Sequence, residues 1–376
     1  MYFLNGDRIY IKPETGCASL DAQLLNCFEQ LQKINSGKQI FKLNFFAEVS
    51  SKENYVKLQS QLQRLVAEKF QNPVICALIA QPPLTCRILV EAFYFDPALW
   101  KQEFIHSENG SAMLFKRENA SVLIGNAQSD NSSGCRQNAE TVFNSFENLL
   151  KRAGIKFHSV IRQWNYMENI TDFDGDNQRY QDFNNVRAGF YAEHFKKNGF
   201  PAATGIGMNR GGVIIEFVAL DAAEAVSLPL DNPEQIAAHD YSKNVLVGNE
   251  LINKSTPKFE RARYLELFGK KQVFISGTAS IRGEKTVGIG DPAKQTKITI
   301  QNMQRLYSPE ILSLLSENSL RPVYGHARVY VKNRKDFAAI KKTFKSYYGN
   351  LPVVYIIADI CREDLLVEIE GKVILE

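Results

Sequence analysis

The chain has 376 residues, of which 44% are hydrophobic and 23% are charged, so a disordered, fibrous or coiled-coil protein is excluded. Its formal net charge of +4 is too small to indicate a surface that coats nucleic acid, so we expect no nucleic-acid partner. At roughly 100–200 residues per domain, the length predicts two or three domains.

The sequence shows no sign of export, membrane insertion or metal binding. The first ten residues lack a basic segment followed by an apolar stretch, and no apolar run approaches the roughly 18 residues that a membrane-spanning helix needs. The six cysteines and five histidines show neither a CxxC pair nor a metal-binding spacing. We therefore expect a soluble, cytoplasmic protein with no membrane partner, no metal and no cofactor.

The first predicted unit spans residues 1–100 and begins with an amphipathic helix over 20–33, in which Leu24, Phe28 and Leu31 share one face. A strand over 40–49 and a second helix over 52–70 follow, and the helix ends before Pro73. Two further strands complete the unit, and the last one carries Glu91.

The next two units repeat this order of elements. The second unit (110–222) has helices over 138–152 and 179–195, a strand after Pro201 and a closing strand with Glu216. A connecting segment (223–265) follows, and its aromatic residues and Arg261 indicate that it packs against the rest of the molecule. The third unit (266–376) is predicted to contain helices over 295–315 and 334–348, a strand after Pro352 and a closing strand with Glu368.

A proline and a closing-strand glutamate recur in register in all three units. Glu91 follows Pro73 by 18 residues, Glu216 follows Pro201 by 15, and Glu368 follows Pro352 by 16. This recurrence favours a triplicated α+β unit over three unrelated α+β domains.

Each unit resembles the Rid family (YjgF-like, endoribonuclease L-PSP), whose small proteins assemble as trimers with ligand sites in the clefts between subunits. The resemblance is sharpest in VFISGTASI, GDPAKQTKITIQNM and DLLVEIEG of the third unit. It implies an α+β fold of three Rid-like units that form a covalent pseudo-trimer, in which the first unit is mainly structural. Since one chain would then supply all three units, we expect a monomer or a weak dimer.

Five stretches in order, RYQDFNNVR, PAATGIG, PKFERAR, SGTASIRGEKTVGIGD and ADICREDLLVEIEG, resemble the chorismatase family. These enzymes hydrolyse chorismate to pyruvate and a dihydroxycyclohexadiene or hydroxybenzoate product. The resemblance implies a cofactor-free hydrolase with a small carboxylate substrate. The chain departs from the family pattern at Gly288, where chorismatases usually carry a histidine.

Chorismate is a dicarboxylate with an enol ether, so its cleavage requires cations for two carboxylates and an acid for the vinyl carbon. Arg179 and Arg187 lie two turns apart on one predicted helix, and Arg328 and Tyr330 alternate on one strand. We expect all four to bind substrate. For either helical arginine, the alternative is an ion pair with a neighbouring acid such as Asp182.

Glu368 is the predicted general acid, because burial among apolar strand residues raises a carboxyl pKa. Its alternative role is an ordinary outward-facing strand position. Small and hydroxyl side chains near two predicted turns suit close approach to an anion, and an aromatic beside Arg179 suits stacking. These further substrate-binding candidates are Tyr180, Thr204, Gly205, Gly277, Thr278, Ala279 and Ser280.

A second hypothesis is a Rid-like protein that binds a small carboxylate or an aromatic metabolite without turning it over. The simple Rid imine deaminases use an arginine just after the proline before their last strand pair. Here Val353 and Val354 follow Pro352, which argues against imine deamination.

Overall fold

The computed structural model of the protein describes residues 4, 8–34, 37–129, 133–192, 194–195, 198–247, 254–315 and 319–376. It contains three principal β-sheets, each with helices on one face. The coarser part of the α+β prediction, a chain that combines helices with several β-sheets, is confirmed.

The first sheet has four strands in the order β1-β4-β2-β3. Helices α1 and α2 each start at a serine whose hydroxyl caps the helix: Ser19 accepts from the Ala22 amide and Ser51 from the Asn54 amide. The elements are β1 (Arg8–Ile11), α1 (Leu20–Lys33), β2 (Gln39–Ala47), α2 (Lys52–Lys69), β3 (Ile75–Ile79) and β4 (Ile88–Phe95).

The second sheet has six strands in the order β11-β8-β12-β7-β6-β5. A two-stranded hairpin, β9–β10, lies immediately before helix α4. The elements are β5 (Lys101–Ser107), β6 (Gly110–Arg117), β7 (Ala120–Gln128), α3 (Cys135–Arg152), β8 (Val160–Glu168), β9 (Phe173–Asp174), β10 (Asn177–Gln178), α4 (Arg179–Ala192), β11 (Ala202–Met208) and β12 (Val213–Ala222).

The third sheet has the order β13-β14-β15-β20-β18-β19, so the two ends of the connecting segment pair as its strands β13 and β14. The elements are β13 (Val226–Leu230), β14 (Ala262–Leu267), β15 (Lys270–Ala279), β16 (Ile281–Arg282), β17 (Lys285–Thr286), α5 (Pro292–Arg305), α6 (Pro309–Ser313), β18 (Pro322–Val331), α7 (Phe337–Tyr348), β19 (Val353–Ile357) and β20 (Val367–Leu375).

One predicted helix is wrong in its extent. The apolar spacing predicted a single helix over 295–315, whereas the structure has α5 and α6 with a break between them. Pro309 is the first residue of α6, and a proline disfavours helical geometry in the residue before it.

The three sheets share a common arrangement. In each, a parallel strand pair is joined by a helix (β2–β3, β8–β11, β18–β19), and the closing strand lies antiparallel beside the first member of that pair. The face of each sheet away from its helices contributes to one central hydrophobic cluster, which contains Phe41, Ile79, Tyr166, Ile214 and Tyr330. One core cluster therefore lies where the three sheets meet, and three further clusters include residues of the helices.

Charged side chains are also buried at this junction, and we call them the central charge network. Lys42 pairs with Glu216 at 2.8 Å, and Arg328 pairs with Glu370 at 3.1 Å. Further pairs join Arg8 and Arg328 to Glu91, and Arg162 to Glu370. The Arg8–Glu91 pair lies within the first sheet and the Arg328–Glu370 pair within the third, whereas the other three pairs join different sheets, so the network ties the sheets together.

Among the described residues, no helix is long and apolar enough to cross a membrane. The described part of the chain also contains no group of three or more His, Cys, Asp or Glu side chains arranged to hold a metal ion.

Candidate functional site

A cavity of about 560 Å³ lies between the second and third sheets. Its walls come from helix α4, strands β11, β15 and β20, the loop before β20 and the connecting segment. This volume is in the range that holds a small metabolite.

Glu368 lies in the wall of this cavity, as a candidate general acid must. It is only 4% exposed, and burial, followed by the charge of Glu370, raises its pKa to about 8. Arg162 and Arg261 oppose this rise only in part. The carboxyl is therefore mostly protonated at neutral pH and can donate a proton.

Small residues open the space beside Glu368. A Cβ atom on Gly277 would collide with Oε1 of Glu368, and a Cβ on Gly205 would lie 3.1 Å from Cε2 of Tyr180. Ala279 lines the same wall. The structure thus brings five predicted site residues to one cavity: Glu368, Tyr180, Gly205, Gly277 and Ala279.

Arg328 and Tyr330 are not in the cavity, contrary to the expectation that they bind substrate. The Arg328 guanidinium is fully buried in the central charge network, where it pairs with Glu91 and Glu370 and donates to the Tyr166 hydroxyl at 2.7 Å. The Tyr330 hydroxyl donates to Glu370 at 3.3 Å. Their side chains share one sheet face, as predicted, but this part of the face is closed by the other sheets.

The two helical arginines are also held elsewhere. Arg179 Nε donates to Asp174 at 2.9 Å and its Nη1 donates to the Glu168 carbonyl at 2.9 Å, which keeps the side chain outside the cavity. Arg187 is buried behind the cavity wall and donates to Oδ1 of Asn184 at 2.6 Å. Asn184 itself lines the cavity, so Arg187 orients a cavity residue.

The three hydroxyl candidates point away from the cavity. Thr204 Oγ1 donates to Glu370 at 2.5 Å, Thr278 Oγ1 donates to the Ser276 carbonyl at 2.9 Å, and Ser280 Oγ donates to the Val287 carbonyl at 2.6 Å. All three are buried. Alternation along β11 and β15 explains this, because their neighbours Ala203, Gly205, Gly277 and Ala279 are the residues that line the cavity.

Two cavity cations, Arg261 and Arg362, were not predicted as ligands. Both guanidinium groups lie over the Tyr241 ring, at 5.4 and 5.3 Å from its centre, and both residues line the cavity. Arg261 donates to the Tyr241 hydroxyl at 2.6 Å and Arg362 to the Glu284 carbonyl at 2.7 Å. In the sequence, these two arginines lie in the stretches PKFERAR and ADICREDLLVEIEG, which could have indicated them.

Amide and thiol groups complete the wall. Gln178, Gln181 and Asn184 supply hydrogen-bonding amides, and Cys361 lies in the loop before β20. Burial raises the pKa of the Cys361 thiol to about 12, so the thiol is neutral. The cavity therefore combines two arginines, neutral donors, a neutral thiol and the protonated carboxyl of Glu368, and two further acids, Glu363 and Asp364, line it as well.

Comparison with known proteins agrees with the motifs. Residues 99–219 match the family model "Chorismatase FkbO/Hyg5-like, N-terminal". A 3-hydroxybenzoate synthase of Streptomyces hygroscopicus is 32% identical over 234 residues, which cover 60% of this chain and 66% of that protein. A chorismatase of Streptomyces rapamycinicus is 33% identical over 227 residues, which cover 58% of this chain and 64% of that protein. The matches thus span slightly less than two thirds of these relatives.

The fold comparison covers almost the whole chain. A chorismatase crystal structure at 1.08 Å resolution superimposes with a TM-score of 0.72 and 24% sequence identity, over 98% of each chain. At this identity the match shows the fold alone. The chain is thus similar to chorismatases in sequence over part of its length and in fold over nearly all of it.

Proposed function

We propose that the protein hydrolyses the enol ether of chorismate, releasing pyruvate together with a dihydroxycyclohexadiene carboxylate or a hydroxybenzoate. The observation that carries this proposal is Glu368, a cavity carboxyl whose pKa of about 8 keeps it protonated at neutral pH. The names of the sequence relatives, a 3-hydroxybenzoate synthase and two chorismatases, support the same chemistry.

The reaction begins with proton transfer from Glu368 to the methylene carbon of the enolpyruvyl group. This creates a cation at the ether carbon, and water adds to it with loss of a proton that restores the Glu368 acid. The hemiketal then collapses to pyruvate and the ring alcohol. The ring product is the dihydroxycyclohexadiene, whereas a hydroxybenzoate contains one water molecule fewer.

Arg261 and Arg362 bind the substrate carboxylates in this scheme. Arginine suits the task because its planar guanidinium meets a carboxylate with two parallel hydrogen bonds. Arg261 Nε is buried and has no hydrogen-bond partner among the described residues, so a substrate oxygen would satisfy it. Tyr241 lies against both guanidinium groups and limits their positions.

The test is to incubate the purified protein with chorismate, follow pyruvate with a coupled assay and identify the ring product by mass spectrometry. We expect pyruvate release above the uncatalysed rate, and its loss in Glu368→Gln. The control is Glu103→Gln, which alters a strand glutamate whose side chain is 59% exposed in a surface ion pair. A chorismate-dependent rise in melting temperature without pyruvate release would instead indicate a binding protein.

We further propose that the three units form a pseudo-trimer within one chain, and that the chain is a monomer or a weak dimer in the cytoplasm. The common strand arrangement and the shared central cluster support the first part. All six cysteines are free thiols, which fits a reducing compartment. Sedimentation at several protein concentrations tests the assembly, and an obligate trimer would contradict it.

A further inference from the structure

Two glutamates on one face of β20 have opposite surroundings. Glu368 and Glu370 are two residues apart on the strand, so their side chains leave the same side of the sheet. Glu370 faces the central charge network, whereas Glu368 faces the cavity. The same strand therefore carries one carboxyl for each environment.

Both oxygens of Glu370 are occupied. Oε2 accepts from Nε1 of Trp164 at 2.7 Å, from Oγ1 of Thr204 at 2.5 Å and from Arg162. Oε1 pairs with Arg328 at 3.1 Å and accepts from the Tyr330 hydroxyl at 3.3 Å. Two cations and three neutral donors therefore surround this carboxyl.

A chain of contacts leads from Glu370 back to Glu368. Oγ1 of Thr204 donates to Glu370 and also accepts from the Gly277 amide at 3.0 Å. Gly277 lies in the register shift of β15 against β20 between Ile275 and Thr278, and its Cα packs against the Glu368 carboxyl. Thr204 thus directs the Gly277 amide away from Glu368, so this amide does not stabilise a Glu368 anion.

We propose that Glu370 and Thr204 are positioning residues for Glu368: Glu370 is a fixed anion beside the cavity acid, and Thr204 holds the Gly277 backbone against that acid. This inference rests on the proposed function for the role of Glu368 in catalysis. It adds two residues, Glu370 and Thr204, that do not line the cavity but set the protonation state and the position of Glu368, which does line it.

The other titratable groups near Glu368 do not oppose its ionised form by negative charge as Glu370 does. Arg162 on β8 and Arg261 at the end of the connecting segment favour the ionised form of Glu368 and act against Glu370. Three neutral groups also face it, from helix α4, the loop before β20 and strand β18: Tyr180, Cys361 and Tyr330. Glu370 is the anion that raises the pKa of Glu368, and the two other acids of the cavity wall, Glu363 and Asp364, lie in the loop before β20.

The experiment is an infrared titration of the carbonyl band of protonated Glu368, isolated by subtracting the spectrum of Glu368→Gln. In Glu370→Gln, we expect the titration midpoint to fall by on the order of one pH unit. Glu91→Gln is the matched control, because Glu91 is an equally buried strand glutamate that also pairs with Arg328. It should leave the midpoint unchanged. An unchanged midpoint in Glu370→Gln, or an equal fall in Glu91→Gln, would overturn the role of Glu370.

Thr204→Val and Thr204→Ser test the link to Gly277, even if Glu370→Gln does not fold. Valine removes the hydroxyl at similar volume, whereas serine retains it. We expect faster amide hydrogen exchange around Gly277 and an approximately tenfold loss of kcat in Thr204→Val, with both restored in Thr204→Ser. Unchanged exchange in Thr204→Val would refute the link. Because the infrared and exchange measurements need no substrate, they separate a failure of this inference from a failure of the proposed function.

Discussion

Burial alone does not decide the charge state of the strand glutamates. Glu91 and Glu368 are both buried, yet their pKa values shift in opposite directions. Burial acts against the ionised form of Glu91, but Arg328 and Arg8 outweigh it and hold the pKa below the usual range. No cation of the described part of the chain pairs directly with Glu368, so burial and its neighbour Glu370 dominate. Direct pairing with two cations therefore separates the structural carboxylate Glu91 from the proposed proton donor Glu368.

The raised pKa of Glu368 makes stability depend on pH. The group titrates at 4.5 when unfolded and at about 8 when folded, so the folded state binds the extra proton between these values. As the pH rises across this window, the unfolding free energy of the wild type, relative to that of Glu368→Gln, should fall by roughly 1.4 kcal/mol per pH unit. Urea unfolding of both proteins at several pH values measures the difference. A constant difference would show that Glu368 is ionised in the folded protein at neutral pH.

The same titration predicts the alkaline limit of activity. Because only the protonated form can donate, kcat for pyruvate release should fall above pH about 8. A pH profile of the wild type, with protein integrity checked by circular dichroism at each pH, measures this limit. A rate that still rises well above that pH would exclude Glu368 as the proton donor.

Arg261 should contribute to substrate affinity. Its Nε is buried and unpartnered among the described residues, so Arg261→Gln removes a charge-assisted bond to a substrate carboxylate. We expect kcat/KM to fall roughly 10- to 100-fold, mainly through KM. Arg136→Gln, which alters an exposed ion pair on α3, is the control and should leave the kinetics unchanged. Steady-state kinetics with chorismate compare Arg261→Gln with Arg136→Gln.

At the scale of elements, the cavity depends on the irregular end of β15. The register with β20 shifts between Ile275 and Thr278, and the backbone of Gly277 passes directly against the Glu368 carboxyl. A regular strand with larger side chains would fill this space. The shift is therefore what allows a buried strand glutamate to face a cavity.

Gly277→Ala tests this arrangement. The added methyl would collide with Glu368, so we expect at least a 100-fold loss of kcat and a destabilisation of about 1–3 kcal/mol. Gly189→Ala is the control: it lies in helix α4, its added methyl would meet no atom within 4 Å, and alanine favours the helix. Kinetics and thermal unfolding of both variants provide the comparison, and an active Gly277→Ala would contradict the close packing.

Local pattern predicted the order of the elements, apart from the break between α5 and α6, but it did not predict which arginines reach the site. The spacing of apolar residues predicted α1 over its observed range. Alternation also correctly put Arg328 and Tyr330 on one face of β18. Whether that face meets a cavity or a closed junction depends on how the sheets are arranged around it, and short-range periodicity contains no such information. Arg261 lies in a segment without regular periodicity, so periodicity could not predict that it reaches the cavity.

At the scale of the whole molecule, the central charge network makes the three sheets interdependent. Arg328 from the third sheet pairs with Glu91 of the first and donates to Tyr166 of the second. The surrounding hydrophobic cluster also takes residues from every sheet. Loosening one sheet would expose apolar surface and unpaired charge on the other two, so we expect the chain to unfold as a single cooperative unit.

Arg328→Gln tests this coupling. It removes one cation from two buried carboxylates, so we expect a loss of roughly 3–5 kcal/mol of unfolding free energy near neutral pH. The pKa of Glu91 is depressed in the folded state, so its paired anion contributes stability above its unfolded pKa of 4.5 and loses it as the pH falls. The effect of Arg328→Gln should therefore shrink on acidification.

The control is Arg321→Gln, which alters a surface ion pair whose arginine side chain is 75% exposed and should cost at most about 1 kcal/mol. Urea unfolding followed by both tryptophan fluorescence and circular dichroism measures these values, and two separate transitions in the wild type would show that the sheets unfold independently.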